Sequence, residues 1–194
     1  MNAATDPPLS AAKDRPKYAR VERERRFLLS EFPKVEVGRV RHITDRYIIG
    51  TTLRLRQQTD EDGSIVFKLT QKISRPGPDF VQGWLTTMLV AEDEFHVLAE
   101  LPARVLRKRR HSVPPFGIDV FEGPLQGLVL AEAEFDSAAE AINLIVPPFL
   151  LHEVSTDRRF TGGELAQAWR EELTSWLAEF RISMPDGGRP SPLR

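Results

Sequence analysis

The sequence predicts an α+β protein, mainly antiparallel β, in which eight to nine strands form a closed or cupped barrel with a few flanking helices. Nine short β-like runs follow one another, separated by turn signals such as Glu61-Asp62-Gly63 and Pro114-Pro115. So many strands in one domain favour a barrel or a sandwich. Like charges alternate within several runs, as at Arg54 and Arg56. Residues i and i+2 of a strand share a face, where like charges repel, so the pattern favours a sheet that curves around something bound.

The predicted domain covers residues 20–182, between a flexible N-terminal tail, 1–19, and a flexible C-terminal tail, 183–194. Both ends mix proline, small and charged residues without periodicity. The strands are predicted near residues 21–29, 41–49, 52–58, 64–73, 80–90, 103–112, 116–121, 127–135 and 150–155. Helices are predicted over residues 91–101, 137–144 and 163–180.

Ser137 and Thr161 are predicted to cap the second and third helices, because each precedes a glutamate by three residues, the spacing of a capping box. Six apolar residues share one face of the third predicted helix: Leu165, Trp169, Leu173, Trp176, Leu177 and Phe180. We expect this helix to pack outside the barrel or across one of its mouths.

Composition excludes several classes of function. The chain has 194 residues, enough for one domain with a core, and its 27 basic and 28 acidic residues give a net charge of −1. No overall field therefore attracts nucleic acid or a membrane surface. There is no cysteine, so disulfides, thiolate zinc sites and a cysteine nucleophile are excluded. Without a bilayer-length apolar stretch or a signal-peptide core, the expected location is the cytoplasm.

Basic residues alternate along several of the predicted strands: Arg54, Arg56, Lys68, Lys72, Lys108 and Arg110. Arginine offers paired donors to phosphate oxygens and lysine a movable point charge, so together they suit a polyphosphate chain. The alternative is a solvated sheet face, the commoner place for charges. That face would leave a large patch of one sign exposed unless the barrel closes around it.

Acidic residues alternate in the same way at Glu22 and Glu24 and at Glu132 and Glu134. Four carboxylates from two strands are hard oxygen ligands that suit Mg²⁺ or Mn²⁺ in contact with phosphate. The alternative is a ladder of surface salt bridges with the neighbouring arginines, which would contribute little energy.

These charged positions fall in five ordered segments: Glu22-x-Glu24-x-Arg26, Leu53-Arg54-Leu55-Arg56-Gln57, Ile118-Asp119-Val120-Phe121-Glu122-Gly123, Leu130-Ala131-Glu132-Ala133-Glu134-Phe135 and Glu153-Val154-Ser155-x-Asp157-Arg158-Arg159-Phe160. In this order they resemble the CYTH-domain proteins, the triphosphate tunnel metalloenzymes. The resemblance covers roughly residues 20 to 170 and is strongest to the short bacterial-type inorganic triphosphatases.

The resemblance implies a tunnel in which the six basic residues, together with Arg158, bind a linear triphosphate. It implies that Mg²⁺ or Mn²⁺ is held by Glu22, Glu24, Asp119, Glu132, Glu134 and Glu153. The residues implied in catalysis are Arg26, Tyr47, Glu132 and Glu134, with a positioned water attacking the terminal phosphorus. Three of these assignments have alternatives. Tyr47 would be a half-buried strand aromatic, Asp119 would orient a basic residue, and Glu153 would pair with Arg158.

Two departures from the family pattern bear on chemistry. Arg26 stands where the family signature has lysine, so a group that stays charged replaces one able to exchange protons. Thr86 and Met88 stand where alternating carboxylates are expected on the fifth strand, so the acidic set is thinner.

Three functions follow from the resemblance. The first is metal-dependent hydrolysis of inorganic tripolyphosphate. The second is hydrolysis or cyclisation of an organic triphosphate, such as thiamine triphosphate or ATP, and the third is non-catalytic sensing of polyphosphate or nucleotide. The four histidines lack metal-pair spacing, and phosphate-binding glycine loops are absent from the sequence. The predicted partner is a small triphosphate and not nucleic acid or membrane, with a homodimer as a further expectation.

Overall fold

The computed structural model describes residues 16–76 and 81–184, so most of both predicted tails lies outside the described residues. The strands are β1 (Arg20–Leu29), β2 (Val40–Ile48), β3 (Leu53–Asp60), β4 (Ile65–Pro76), β5 (Val81–Leu89), β6 (Ala103–Val113), β7 (Phe116–Phe121), β8 (Val129–Glu134) and β9 (His152–Glu153). The helices are α1 (Glu92–Ala99), α2 (Ala138–Ile142), α3 (Gly162–Leu165) and α4 (Arg170–Glu179). Within these ranges, no helix has the length and apolar character needed to cross a membrane.

The described strands form one antiparallel sheet in the order β5-β4-β3-β2-β6-β7-β8-β1-β9. Strand β1 also pairs with β5, from Arg20 opposite Leu85 to Glu24 opposite Val81, and this pairing closes eight strands into a barrel. Further along, β9 pairs with β1 at Phe27 and Leu28. The predicted barrel is confirmed, and the sandwich alternative is excluded.

Strand alternation puts apolar side chains outside this barrel and charged side chains inside it. On β1, Phe27 is buried in an outer cluster with Ile118 and Ala131, which the segment around Leu150 covers. On β4, in another part of the barrel, the outward-facing Phe67 stacks on Phe95 of α1, with ring centroids 4.4 Å apart. Apolar burial on the outside therefore stabilises the barrel and leaves the inner face free for polar groups.

One end of the barrel is filled by a second apolar cluster. Inward residues of four strands, Leu28, Leu106, Phe121 and Leu130, pack there against α3 and α4. The third predicted helix does lie across one mouth, but its prediction as one continuous helix was wrong. Trp169 has an extended backbone, with φ −85° and ψ 158°, and its backbone N–H donates to the Glu172 carboxylate at 2.9 Å where α4 begins.

Trp169 itself also departs from the predicted apolar stripe, since it is 71% exposed while Leu173 and Leu177 are buried. The predicted caps are confirmed. Ser137 accepts from the Glu140 N–H at 3.1 Å, and Thr161 accepts from the Glu164 N–H at 3.4 Å.

Gly162, in α3, lies against the Tyr47 hydroxyl so closely that a side chain would not fit. A Cβ at Gly162 would stand 1.9 Å from the Tyr47 oxygen, whereas at Gly163 the nearest Tyr47 atom would be 3.8 Å away. We expect Gly162→Ala to lower the free energy of unfolding by about 1–3 kcal/mol through overpacking. Gly163→Ala is the matched control and should cost less in the same urea titration. Equal losses for the two variants would show that Tyr47 does not set the close contact.

Candidate functional site

The barrel interior carries two arcs of opposite charge. Antiparallel partners share a face, and Arg56 is opposite both Lys68 of β4 and Asp45 of β2. Inward basic residues therefore occupy the neighbouring strands β4, β3, β2 and β6. Inward acidic residues occupy β7, β8 and β1, at Asp119, Glu132, Glu134, Glu22 and Glu24. The alternative of a solvated sheet face does not hold for Arg56 and Lys108, which are 9% and 6% exposed.

Asp45 anchors the centre of the basic arc. It is fully buried and accepts two hydrogen bonds from Arg56, at 2.7 and 2.8 Å, with the Nε of Arg54 3.5 Å away. Burial alone would raise the pKa of Asp45, but Arg56 and Arg54 outweigh it and lower that pKa to about 2. Asp45 therefore stays ionised and holds the Arg56 fork in one orientation.

A second network joins the two arcs across β6, β7 and β8. Asp119 is fully buried and accepts from Lys108 at 2.5 Å and from Arg110 at 2.7 and 2.6 Å. Arg110 also donates to Glu132. Burial opposes ionisation of Glu132, yet Lys108 and Arg110 hold its pKa well below the usual range. Asp119 thus orients two basic residues, the alternative role considered for it above.

The third network lies on β1. Lys72 reaches from β4 past β5 to place its ammonium 2.8 Å from Glu22 and 2.7 Å from Glu24. Burial and the neighbouring Glu24 raise the pKa of Glu22, and Lys72 opposes that rise. Arg26 lies 3.1 Å from the other oxygen of Glu24 and donates to the carbonyls of Phe160, at 2.6 Å, and Ser155, at 2.7 Å. Arg26 is thereby tied to the segment that leads into α3.

Two inward cations retain donors for a ligand. Arg54 makes no hydrogen bond within the described residues, and its ion-pair partner there is Asp45, 3.5 Å from its Nε, which Arg56 already holds by two hydrogen bonds. Lys68 has no ion-pair partner among those residues, and burial together with Arg56, Arg41 and Arg54 lowers its pKa. Positive charge is therefore in excess on β3 and β4, where Arg54 and Arg56 share the single carboxylate of Asp45 and Lys68 lies near Arg41 of β2. An anion with several charges would relieve this repulsion.

The donor set for a metal is only partly assembled. Glu22 and Glu24 converge on one cation position, and carboxylate oxygens suit Mg²⁺ or Mn²⁺. That position is taken by the ammonium of Lys72. Across residues 16–76 and 81–184, no group of three or more His, Cys, Asp or Glu side chains is arranged to hold a metal ion. The residues fit a hard cation in type, and Glu22 and Glu24 are the pair that would hold it once Lys72 moves.

Three predicted site residues do not join these networks. Glu153 is opposite Phe27, on the outer face of the barrel, where it pairs with Arg25 at 2.6 and 2.9 Å. This corrects its expected position among the metal ligands and the expected pairing with Arg158. Arg158 is exposed, in the 3₁₀ turn Arg158–Phe160. Glu134 is half-exposed at the rim and pairs with Arg20 at 3.2 Å.

The surroundings of Tyr47 disfavour its ionisation, which a general base would require. Burial and the charge of Asp45 raise its pKa to about 12, so the phenol keeps its proton at neutral pH. It packs with the apolar cluster under α3, as the strand-aromatic alternative predicted.

The expected inward positions on β5 were shifted by one residue. Thr87 is opposite Thr70, and their hydroxyls lie 3.1 Å apart, whereas Met88 is 57% exposed. Thr86 is opposite Gln71, on the outer face. Neither face of β5 carries a carboxylate, because Val81–Leu89 contains no Asp or Glu.

Sequence reasoning missed two inward residues, Asp45 and Arg41. Both belong to the alternation Arg41-x-Ile43-x-Asp45-x-Tyr47, and this signal is visible in the sequence. Their importance comes from cross-strand neighbours: Asp45 from Arg56, and Arg41 from Asp60 of β3, 3.7 Å away.

Comparison with known proteins gives consistent relatives. The chain is 33% identical over 153 residues to an inorganic triphosphatase from Nitrosomonas europaea, covering 75% of this chain and 96% of that protein. A crystal structure of an inorganic triphosphatase aligns with a TM-score of 0.50 and 26% identity, over 76% of this chain and 95% of that one. No protein-family model matches the chain.

Proposed function

Because the chain belongs to the family of the Nitrosomonas europaea inorganic triphosphatase, we propose that it hydrolyses the terminal phosphate of a linear triphosphate inside its barrel. The proposed substrate is inorganic tripolyphosphate. The observation that carries the proposal is the excess positive charge around Arg54, Arg56 and Lys68, which share one ionised Asp45 and face an acidic arc across a closed interior.

The basic arc would bind the phosphate chain. Arg54 offers its terminal guanidinium N–H groups and Lys68 an ammonium without an ion-pair partner among the described residues, while Arg56 is fixed by Asp45 and presents its remaining N–H groups. Several fixed donors that share a highly charged anion orient it without a moving loop. The inward side chains of β3 and β4 at this point are charged or polar, at Arg54, Arg56, Lys68, Thr70 and Lys72, which favours a substrate made of phosphate groups alone.

The acidic arc would face the terminal phosphate. Glu132 is ionised and held by Arg110, so its carboxylate accepts a hydrogen bond from a water and positions it. Attack of this water on the terminal phosphorus breaks the bond to the bridging oxygen and releases phosphate and pyrophosphate. A Mg²⁺ or Mn²⁺ ion at Glu22 and Glu24 would supply charge neutralisation at the phosphate oxygens. Arg26 stays charged and tied to Ser155 and Phe160, so it supports the electrostatics of Glu24 without exchanging protons.

Removal of divalent metal is expected to stop turnover reversibly. Protein treated with EDTA and desalted should release less than about one hundredth of the phosphate of Mg²⁺-loaded protein from tripolyphosphate. Addition of Mg²⁺ or Mn²⁺ in excess should restore the rate, measured as inorganic phosphate against time. Full activity in EDTA would remove the metal from the proposal and leave the hydrolase in place.

A second candidate function is a binding protein for polyphosphate. It is favoured by the ion pairs that occupy Glu22, Glu24, Asp119 and Glu132, which leave no assembled metal cluster in the described part of the chain. The two functions differ in turnover. Stabilisation by tripolyphosphate without phosphate release in any metal would select the binding protein.

A further inference from the structure

Lys72 neutralises two neighbouring carboxylates of the acidic arc. Glu22 and Glu24 project inward from β1, and their side chains are 7% and 8% exposed. Two buried carboxylates that share a face repel unless a positive charge lies between them. The Lys72 ammonium, 2.8 and 2.7 Å from these carboxylates, provides that charge.

Among the side chains that the structure describes, Lys72 alone forms an ion pair with Glu22. Arg26 lies on the far side of Glu24, and within the described chain Lys72 is the ion-pair partner of Glu22. Strand β5, which separates Lys72 from β1, presents Leu85 opposite Lys72 and Gly83 opposite Glu22. Gly83 has no side chain and Leu85 has no charge, so at these positions β5 offers neither a steric barrier nor another charged partner to the lysine.

We propose that Lys72 is a resident counter-ion, which fills the cation position between Glu22 and Glu24 in the free protein and turns to phosphate when a triphosphate enters. This inference rests on the proposed function for the identity of both ligands. Its consequence is that Lys72 opposes metal binding in the free protein and assists triphosphate binding.

The chemistry of the side chain supports both roles. The Lys72 side chain is 33% exposed, in contrast to the two carboxylates, so part of it borders open space into which it can turn. A lysine on a flexible four-carbon stem redirects its charge more readily than an arginine fixed by two carbonyls, as Arg26 is. A divalent cation and an ammonium within about 3 Å of the same two oxygens repel strongly, so one must leave before the other binds.

Lys68 provides a matched control on the same strand. It lies four residues before Lys72 in β4 and on the same inward face, but it has no carboxylate partner among the described residues. Replacing either lysine by methionine removes one positive charge from the interior and keeps a similar length. Only Lys72→Met uncovers the Glu22 and Glu24 oxygens.

The test is a pair of calorimetric titrations of the full chain near pH 8, one with Mn²⁺ alone and one with tripolyphosphate in EDTA. Lys72→Met is expected to bind Mn²⁺ about ten-fold more tightly than wild type and tripolyphosphate about ten-fold more weakly, within the usual range of coupling between sites. Lys68→Met should weaken tripolyphosphate binding and leave the Mn²⁺ affinity within about two-fold of wild type.

Two further measurements distinguish a change in Mn²⁺ affinity from a loss of the folded state. Circular dichroism establishes that each variant is folded, and Mn²⁺ should raise the melting temperature of Lys72→Met more than that of wild type. If Lys72→Met does not fold, Lys72→Gln is titrated in its place. A folded variant that binds Mn²⁺ no more tightly than wild type overturns the proposal. Neither titration requires turnover, so absence of phosphate release with a gain in Mn²⁺ affinity would reject the hydrolase and retain the counter-ion.

Discussion

Replacing Arg54 by alanine is expected to lower kcat/KM for tripolyphosphate by about 100-fold or more while the fold stays intact. The Nε of Arg54 is buried without a hydrogen bond in the described residues, and Asp45, 3.5 Å away, keeps both hydrogen bonds from Arg56. The Arg54→Ala substitution therefore removes hydrogen-bond donors from the ligand. It also relieves the electrostatic repulsion of Arg54 with Lys68 and Arg56. Steady-state phosphate release and thermal unfolding measure the two effects separately.

Arg107→Ala is the control for this prediction. Arg107 belongs to the arginine-rich strand β6, which β2 separates from β3, but it is exposed and opposite Thr44, on the outer face. It should keep wild-type kcat/KM within about two-fold, because outward charges lie behind the barrel wall and are screened by solvent. Equal losses for Arg54→Ala and Arg107→Ala would point to a general charge effect and against a ligand contact at Arg54.

Replacing Arg56 by alanine is expected to destabilise the protein by about 3–5 kcal/mol, with a fall in melting temperature on the order of 10 °C. Asp45 is fully buried, and both of its hydrogen bonds come from Arg56, so the variant leaves a buried carboxylate with only Arg54 at 3.5 Å. Arg54→Ala and Arg56→Ala remove the same side chain two positions apart, yet the first should spare stability and the second should not.

The exposed pair Arg109 and Glu122 provides the comparison for that energy. Its atoms are 3.3 Å apart, and the side chains are 47% and 40% exposed. Arg109→Ala should cost less than about 1 kcal/mol in the same denaturant titration. A similar small cost for Arg56→Ala would show that Asp45 is not held as the structure places it.

The fold was largely predictable because strand alternation and turn residues are local signals. β7 was predicted at its exact bounds, and the other strands to within a few residues. The ordered motifs also predicted the family, which the 33% identical relative confirms. The third helix was not predicted correctly, because the apolar pattern continues across residues 166–169 whereas the helical backbone conformation is interrupted there. At the interruption the Trp169 N–H donates to the Glu172 carboxylate, and α4 starts there as a separate helix.

The faces of the site residues were predictable, but their partners were not. Alternation places Lys72 and Glu24 inside the barrel without indicating that they meet, because their contact depends on the closing pairing of β1 with β5. A different pairing, of β9 with β1, puts Glu153 opposite Phe27 and so on the outside, although it begins a family motif. The roles of Arg158 and Glu134 and the metal site remain predictions. A bound ligand would bring these groups together, and sequence spacing does not indicate such contacts.

The most direct test of the central proposal is phosphate release by the purified protein from tripolyphosphate, ATP, thiamine triphosphate and pyrophosphate, compared side by side in Mg²⁺ and in Mn²⁺. The charged interior predicts the highest kcat/KM on tripolyphosphate, by about ten-fold or more over each organic triphosphate. A higher kcat/KM on ATP or thiamine triphosphate, or release from none of the four, would contradict it.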